Sequence, residues 1–300
     1  MPGIHPPQRP LFVSWHPDRP PCTLLLIVMV LLGCAALPRG ARAQTPSPLA
    51  EWQYSAGVPL RELFTPTAPR WQIELGAATS VAPLYDGAQR YRVMGGPTID
   101  IRYRDRYFAS TGEGIGANLL RGRNWRVGIA LTYDLGRRAA DYASHLHGLG
   151  NISPAPVAKL FGEYVISKQF PLVLRADIRR DLGGADGWIG DVGAYMPMPG
   201  SSRDFFWFAG PTATFADAND MNGWFGITRA QSVLSGYAPY KADAGLRSFG
   251  FGVSGVWFFR KHWFLNADVA VEQLVGSAAR SPITESATNG VLDLTIAYQF

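Results

Sequence analysis

Apolar and polar residues alternate with a period of two along most of residues 71–300, in segments of roughly ten residues. Trp263, Leu265, Ala267, Val269 and Val271 interleave with Phe264, Asn266, Asp268, Ala270 and Glu272. Leu172, Leu174, Ala176 and Ile178 are set apart in the same way from Arg175, Asp177 and Arg179. So are Val127, Ile129, Leu131, Tyr133 and Leu135 from Gly128, Ala130, Thr132 and Asp134, while Ile99–Tyr103 and Leu160–Ile166 follow more loosely. A strand turns successive side chains to opposite faces, so each segment carries one greasy and one polar face.

Soluble sandwiches also alternate, and three further features favour a membrane. Aromatic residues gather near strand ends, as at Trp125, Phe170, Trp188, Trp224, Trp257, Phe259 and Trp263, where amphipathic rings suit the lipid–water boundary. Arg175, Asp177 and Asp268 fall in mid-strand and fit a polar lumen. The chain ends on Leu292–Phe300, with Tyr298 and Phe300 on its apolar face. After the N-terminal segment no apolar run approaches the roughly 20 residues of a spanning helix, so any crossing is made by strands. The fold class is therefore an all-β transmembrane antiparallel barrel. Expected strands are 72–78, 93–103, 107–117, 125–135, 157–167, 171–180, 187–196, 205–215, 222–229, 245–259, 263–272 and 291–300. Twelve is the favoured count and ten the alternative, with 222–229 the weakest member.

Residues 1–43 read as a secretory signal. Arg9 and Arg19 precede the apolar run Thr23–Leu32, and Ala41-Arg42-Ala43 supplies a small-x-small site with cleavage before Gln44. A membrane anchor and a lipoprotein site at Cys34 are the competing readings. Residues 44–70, with Pro46, Pro48, Pro59, Pro66 and Pro69, read as an irregular periplasmic arm. Removing the signal takes away four of the 28 basic and one of the 23 acidic residues. The near balance that remains excludes a nucleic-acid partner. Both cysteines, Cys22 and Cys34, leave with the signal, so no disulfide or cysteine metal site is expected.

Motifs for catalysis are weak. Gly250-Phe251-Gly252-Val253-Ser254-Gly255 has dinucleotide spacing, but it continues as strand into Val256–Phe259 where a helix would be needed. His145-Leu146-His147 with Asp141 nearby lacks a third metal ligand. Gly112–Gly116 reads as strand, and Gly183–Gly187 and Arg260-Lys261-His262 read as turns. No catalytic, cofactor or metal residues are expected.

Several stretches together resemble the MipA/OmpV family, the outer-membrane proteins that include the MltA-interacting protein. They are Tyr133–Arg137, Leu146–Ile152, Trp224–Thr228 with Gln231-Ser232, Ser281-Pro282-Ile283, and Tyr298-Gln299-Phe300. The sequence departs from the family's habit at Asn151, where Asp is frequent, and at Trp224, where Tyr is commoner. The resemblance implies a non-enzymatic scaffold in the Gram-negative outer membrane, binding a lytic transglycosylase and a penicillin-binding protein. It also implies that Tyr298 and Phe300 form the signal read by the barrel-insertion machinery. With Phe300 periplasmic, counting strands backwards puts segment 136–156 on the periplasmic side. Losing a strand after that segment would reverse its side. Arg137, Leu146, Gly148, Leu149 and Gly150 are thus candidates for partner docking, or else fold a plug or tight turn. Two other functions stay open. One is a pore lined by Asp100, Arg102, Arg175, Arg179 and Asp268. The other is a surface adhesin using loops 79–92, 230–244 and 273–290.

Overall fold

The computed structural model describes residues 70–300 apart from Lys168 and Arg203. The expected cleavage residues Ala41, Ala43 and Gln44, and the arm 44–70 save Arg70, lie outside the described residues. Twelve strands run in chain order: β1 Trp71–Pro83, β2 Tyr91–Tyr103, β3 Tyr107–Ser110, β4 Gly114–Arg121, β5 Trp125–Asp134, β6 Ala155–Val165, β7 Val173–Asp181, β8 Trp188–Pro197, β9 Phe205–Ala216, β10 Gly245–Arg260, β11 Trp263–Leu274 and β12 Thr288–Gln299. Each pairs antiparallel with its chain neighbours, and β12 returns to β1, closing the barrel. The closing register runs from Glu74 opposite Gln299 to Val81 opposite Leu292, and the Phe300 amide adds a hydrogen bond to the Ile73 carbonyl at 3.0 Å. Closure pairs the free edges of β1 and β12, which hydrocarbon would otherwise penalise.

Side chains divide as the alternation predicts. Leu174 and Ile178 on β7, Ile129 and Leu131 on β5, and Val269 and Val271 on β11 are exposed on the outer wall. Arg175, Arg179, Asn266, Asp268 and Glu272 are buried in the interior. Trp125, Phe170, Trp257, Phe259 and Phe300 are exposed at the end where the chain finishes. An apolar outer face above an aromatic girdle is the surface a barrel presents to lipid.

Two strand assignments change, and their errors cancel in the count. Residues 107–117 form two strands, β3 and β4, turning at 111–113. Glycine allows this reversal, because Gly114 has φ +82° and a Cβ there would lie 2.3 Å from the Leu131 carbonyl oxygen. Residues 222–229 contain no strand; Ala218–Phe225 is a helix capped by Asp217, whose side chain accepts from the Asp220 amide at 2.9 Å. A local cap and the helical spacing of buried Met221 and Phe225 outweigh the strand pattern there. Trp224 accordingly belongs to this helix and not to the girdle.

The lost strand follows residues 136–156, so the side of that segment reverses. Segment 135–154 emerges at the end of the barrel opposite Phe300, together with 84–90, 182–187, 217–244 and 275–287. At the Phe300 end the connections 104–106, 122–124, 166–172, 198–204 and 261–262 are short. Short turns are periplasmic and long loops extracellular in such barrels, so 135–154 is extracellular.

Candidate functional site

The long loops fold together into a cap over the outer mouth. Tyr85, Tyr142, Leu146, Leu149, Ile227 and Ile283, drawn from four loops, form one buried cluster. His145 sits among them, its Nε2 2.8 Å from the Ile283 carbonyl and its Nδ1 3.0 Å from the Tyr237 hydroxyl. The Tyr85 hydroxyl donates to the Ile283 carbonyl at 2.8 Å, and burial holds its pKa well above the ordinary tyrosine value. The Tyr142 hydroxyl donates to Glu285 at 2.8 Å. Distant stretches of chain are thereby tied into one lid.

The five docking candidates lie within or beneath this lid. Leu146 is 1% and Leu149 2% exposed, so neither offers a side chain to a partner. Arg137 is buried, donates to the Trp224 carbonyl at 2.8 Å, and lies over the rings of Tyr85 and Trp224. Burial lowers its pKa to about 10, which leaves the guanidinium charged at neutral pH. Gly148 has φ +74°, and a Cβ there would come within 2.5 Å of the Leu234 backbone; Gly150 also has a positive φ. Arg137, Leu146, Gly148 and Leu149 are packed into the lid, whereas Gly150 is exposed and a Cβ there would meet nothing within 4 Å.

Beneath the lid the lumen is charged. Arg247 donates to Asp86 and, at 3.2 Å, to Asp220, below the rings of Trp224 and Phe225. Lower down, Glu163 accepts from Arg126 and, at 3.1 Å, from Arg175. Arg102 pairs with Asp100 and Glu113, and Arg179 with Asp191 and Asp177. Asp268 instead accepts from Ser254 and Asn266. The pore-lining candidates Asp100, Arg102, Arg175, Arg179 and Asp268 therefore all reach the interior and are held by polar neighbours. Nearer the Phe300 end, Val173, Tyr195, Phe206, Phe208, Val256 and Phe264 pack into an apolar cluster. A second one joins Phe108 to Phe161. Sequence reasoning did not single out these interior aromatics, because an inward Phe breaks the polar half of the alternation.

Asp220 links the lid to the lumen. Its side chain is fully buried, and burial raises its pKa to about 6 despite the opposing pull of Arg247 and Arg179. A carboxyl bound more tightly to its proton when folded adds stability that is complete below its unfolded pKa near 3.8 and is lost as pH rises through about 6. Cleavage of the lid by added protease should therefore accelerate between about pH 4 and pH 6, across that window, and Asp220→Asn should flatten the profile. An unchanged profile in the variant would contradict this account.

The periplasmic rim is basic. Arg70, Arg104, Arg106, Arg121, Arg123, Arg260 and Lys261 are all exposed there, whereas Asp105 is buried and Asp204 is the exposed acid among the described residues of these turns. This collar came from turns too short to carry a motif, and only strand topology brings its members together.

Among solved structures the chain is similar to an outer membrane channel from Pseudomonas putida F1, at 10% identity and TM-score 0.40, over 78% of this chain and 97% of that one. It is also similar to OmpT of Vibrio cholerae, at 9% identity and TM-score 0.35, over 78% and 99%. A third similar structure is the NanC porin, at 9% identity and TM-score 0.37, over 76% and 100%. No curated protein matches. A family model described as "MltA-interacting protein MipA" matches residues 75–300, from within β1 to the C-terminal residue. This outer-membrane barrel, with its charged lumen and extracellular lid, belongs to the MipA family.

Proposed function

We propose that the protein is a non-enzymatic scaffold that gathers murein hydrolases and murein synthases at the inner surface of the outer membrane. The observation that carries this reading is the basic collar on the periplasmic rim, together with the family's description as interacting with MltA. Clustered exposed cations attract an acidic protein surface and raise its rate of encounter. On this reading the docking surface is the collar and not segment 135–154, which emerges at the opposite end of the barrel. The apolar clusters in the lower lumen favour a scaffold over a free pore.

The test is retention of a purified lytic transglycosylase and a bifunctional penicillin-binding protein on immobilised barrel, with and without Arg104→Glu, Arg106→Glu and Arg260→Glu together. Retention should fall about tenfold or more in the variant, and it should weaken with added salt in the parent. Equal retention by both barrels would overturn the assignment.

A further inference from the structure

β3 is too short to cross a bilayer. It has four residues, whereas a spanning strand needs about 9–11. Its pairing with β2 ends at Asp100 opposite Ser110, and the chain turns back into β4 at 111–113. β2 continues upward to Tyr91. Among the described residues, no strand borders its outer edge between Val93 and Pro97. The gap thus falls in the half of the wall nearer the outer surface.

The sequence of β2 is built for such an edge. The Ile99 carbonyl accepts from the Thr111 amide and the Ile99 amide donates to the Thr111 hydroxyl, so the backbone groups of Ile99 point toward β3. Backbone groups alternate in direction along a strand, so Pro97 and Gly95 point the same way, into the gap. Proline has no N–H to offer there, and strand prolines belong at edges. A strand added from another protein would find its donor missing at Pro97. Above the gap, segment 135–154 forms a lintel: Asp141 lies 3.9 Å from Arg92, and Arg90 stacks on Tyr142. The opening therefore faces sideways, toward lipid.

The outer wall around it is apolar: Val93 beside the gap is 71% exposed, and Ile115, in register with Ala109 and Ile101 just below it, is 69% exposed. Behind them the inner wall is small: a Cβ on Gly96 would meet nothing within 4 Å, and Ala78 lies beside it on β1. Below, the paired Asp100, Arg102 and Glu113 form a charged sill. We propose that this gap is a lateral window through which acyl chains of the outer leaflet enter the upper lumen, making it a binding site for a lipid amphiphile. The chain would lie along Val93 and Gly96, with polar head groups reaching the Gly95 and Pro97 carbonyls. Such partners answer the cost of bare backbone groups at membrane depth. This proposal is independent of the scaffolding role.

The test uses the protein with Cys22 and Cys34 changed to Ala, so that no other thiol is present whether or not the signal has been removed, and with a single fluorophore-bearing cysteine. It is reconstituted in vesicles of phosphatidylethanolamine and phosphatidylcholine whose chains carry bromine, which quenches on contact; the ammonium of phosphatidylethanolamine can donate to the bare carbonyls. Gly96→Cys and Met94→Cys report on the lumen behind the window, Gly193→Cys on the inner wall of β8, and Val269→Cys on the lipid face. Quenching at 96 or 94 should reach about half of that at 269 and exceed that at 193 about threefold, since a closed wall would exclude lipid from every inward site. Two reporters guard against a misfolded variant, and heat-modifiable gel mobility identifies the folded one. Quenching at 96 and 94 no greater than at 193 would overturn the window. So would a disulfide-linked dimer through Val93→Cys, which would place a second copy on the edge.

Discussion

Leu146→Asp combined with Leu149→Asp should release the lid while leaving the barrel closed. Each change puts a carboxylate into the cluster of Tyr85, Tyr142, Ile227 and Ile283. Burying a charge without a partner costs about 3 kcal/mol or more, enough to undo a local packing unit. No strand residue is touched, so gel mobility of the folded barrel should persist. On intact cells, added protease should then cut 135–154 and 217–244, which it spares in the parent. Cleavage only after the outer membrane is permeabilised would mean that these loops face the periplasm and that the strand parity described above is wrong.

Glu163→Gln should be among the most destabilising single changes in the wall. Glu163 is buried and holds two buried guanidinium groups, Arg126 and Arg175. Removing one member of a buried ionic group costs about 3–5 kcal/mol, because the charges left behind lose their compensation. Asp268→Asn offers the contrast, since its hydrogen-bond partners Ser254 and Asn266 are neutral. That change should cost less than about 1 kcal/mol or add stability. Urea titration in detergent, followed by tryptophan fluorescence, would rank the two. Equal losses would show that the lumen charges act as interchangeable polar filler.

The wall was legible in the sequence because lipid and lumen impose opposite chemistry on alternate residues, as in Leu174 against Arg175 and Val269 against Asp268. The lid was not. Its residues Tyr85, His145, Tyr237 and Ile283 meet only after the barrel has brought four loops to one mouth, and nothing local announces that meeting. The helix at Ala218–Phe225 was misread because Trp224-Phe225 looks like strand when Asp217 is not weighed as a cap. That single error moved 135–154 across the membrane, since each strand gained or lost inverts everything on one side of it. The β3–β4 turn was missed for a different reason: Gly112-Glu113-Gly114 sits inside an otherwise regular pattern, and strand glycines more often mark crowding than reversal. The basic collar is the converse case, conspicuous in space and scattered in sequence.

The union of β1 with β12 has a consequence for biogenesis. The segment that pairs last with its seam is among the first to be exported, so Trp71–Pro83 keeps one edge paired only with water until Thr288–Gln299 has arrived, and that edge cannot enter hydrocarbon before then. A nascent chain truncated ahead of residue 288 should therefore be degraded or aggregate instead of inserting.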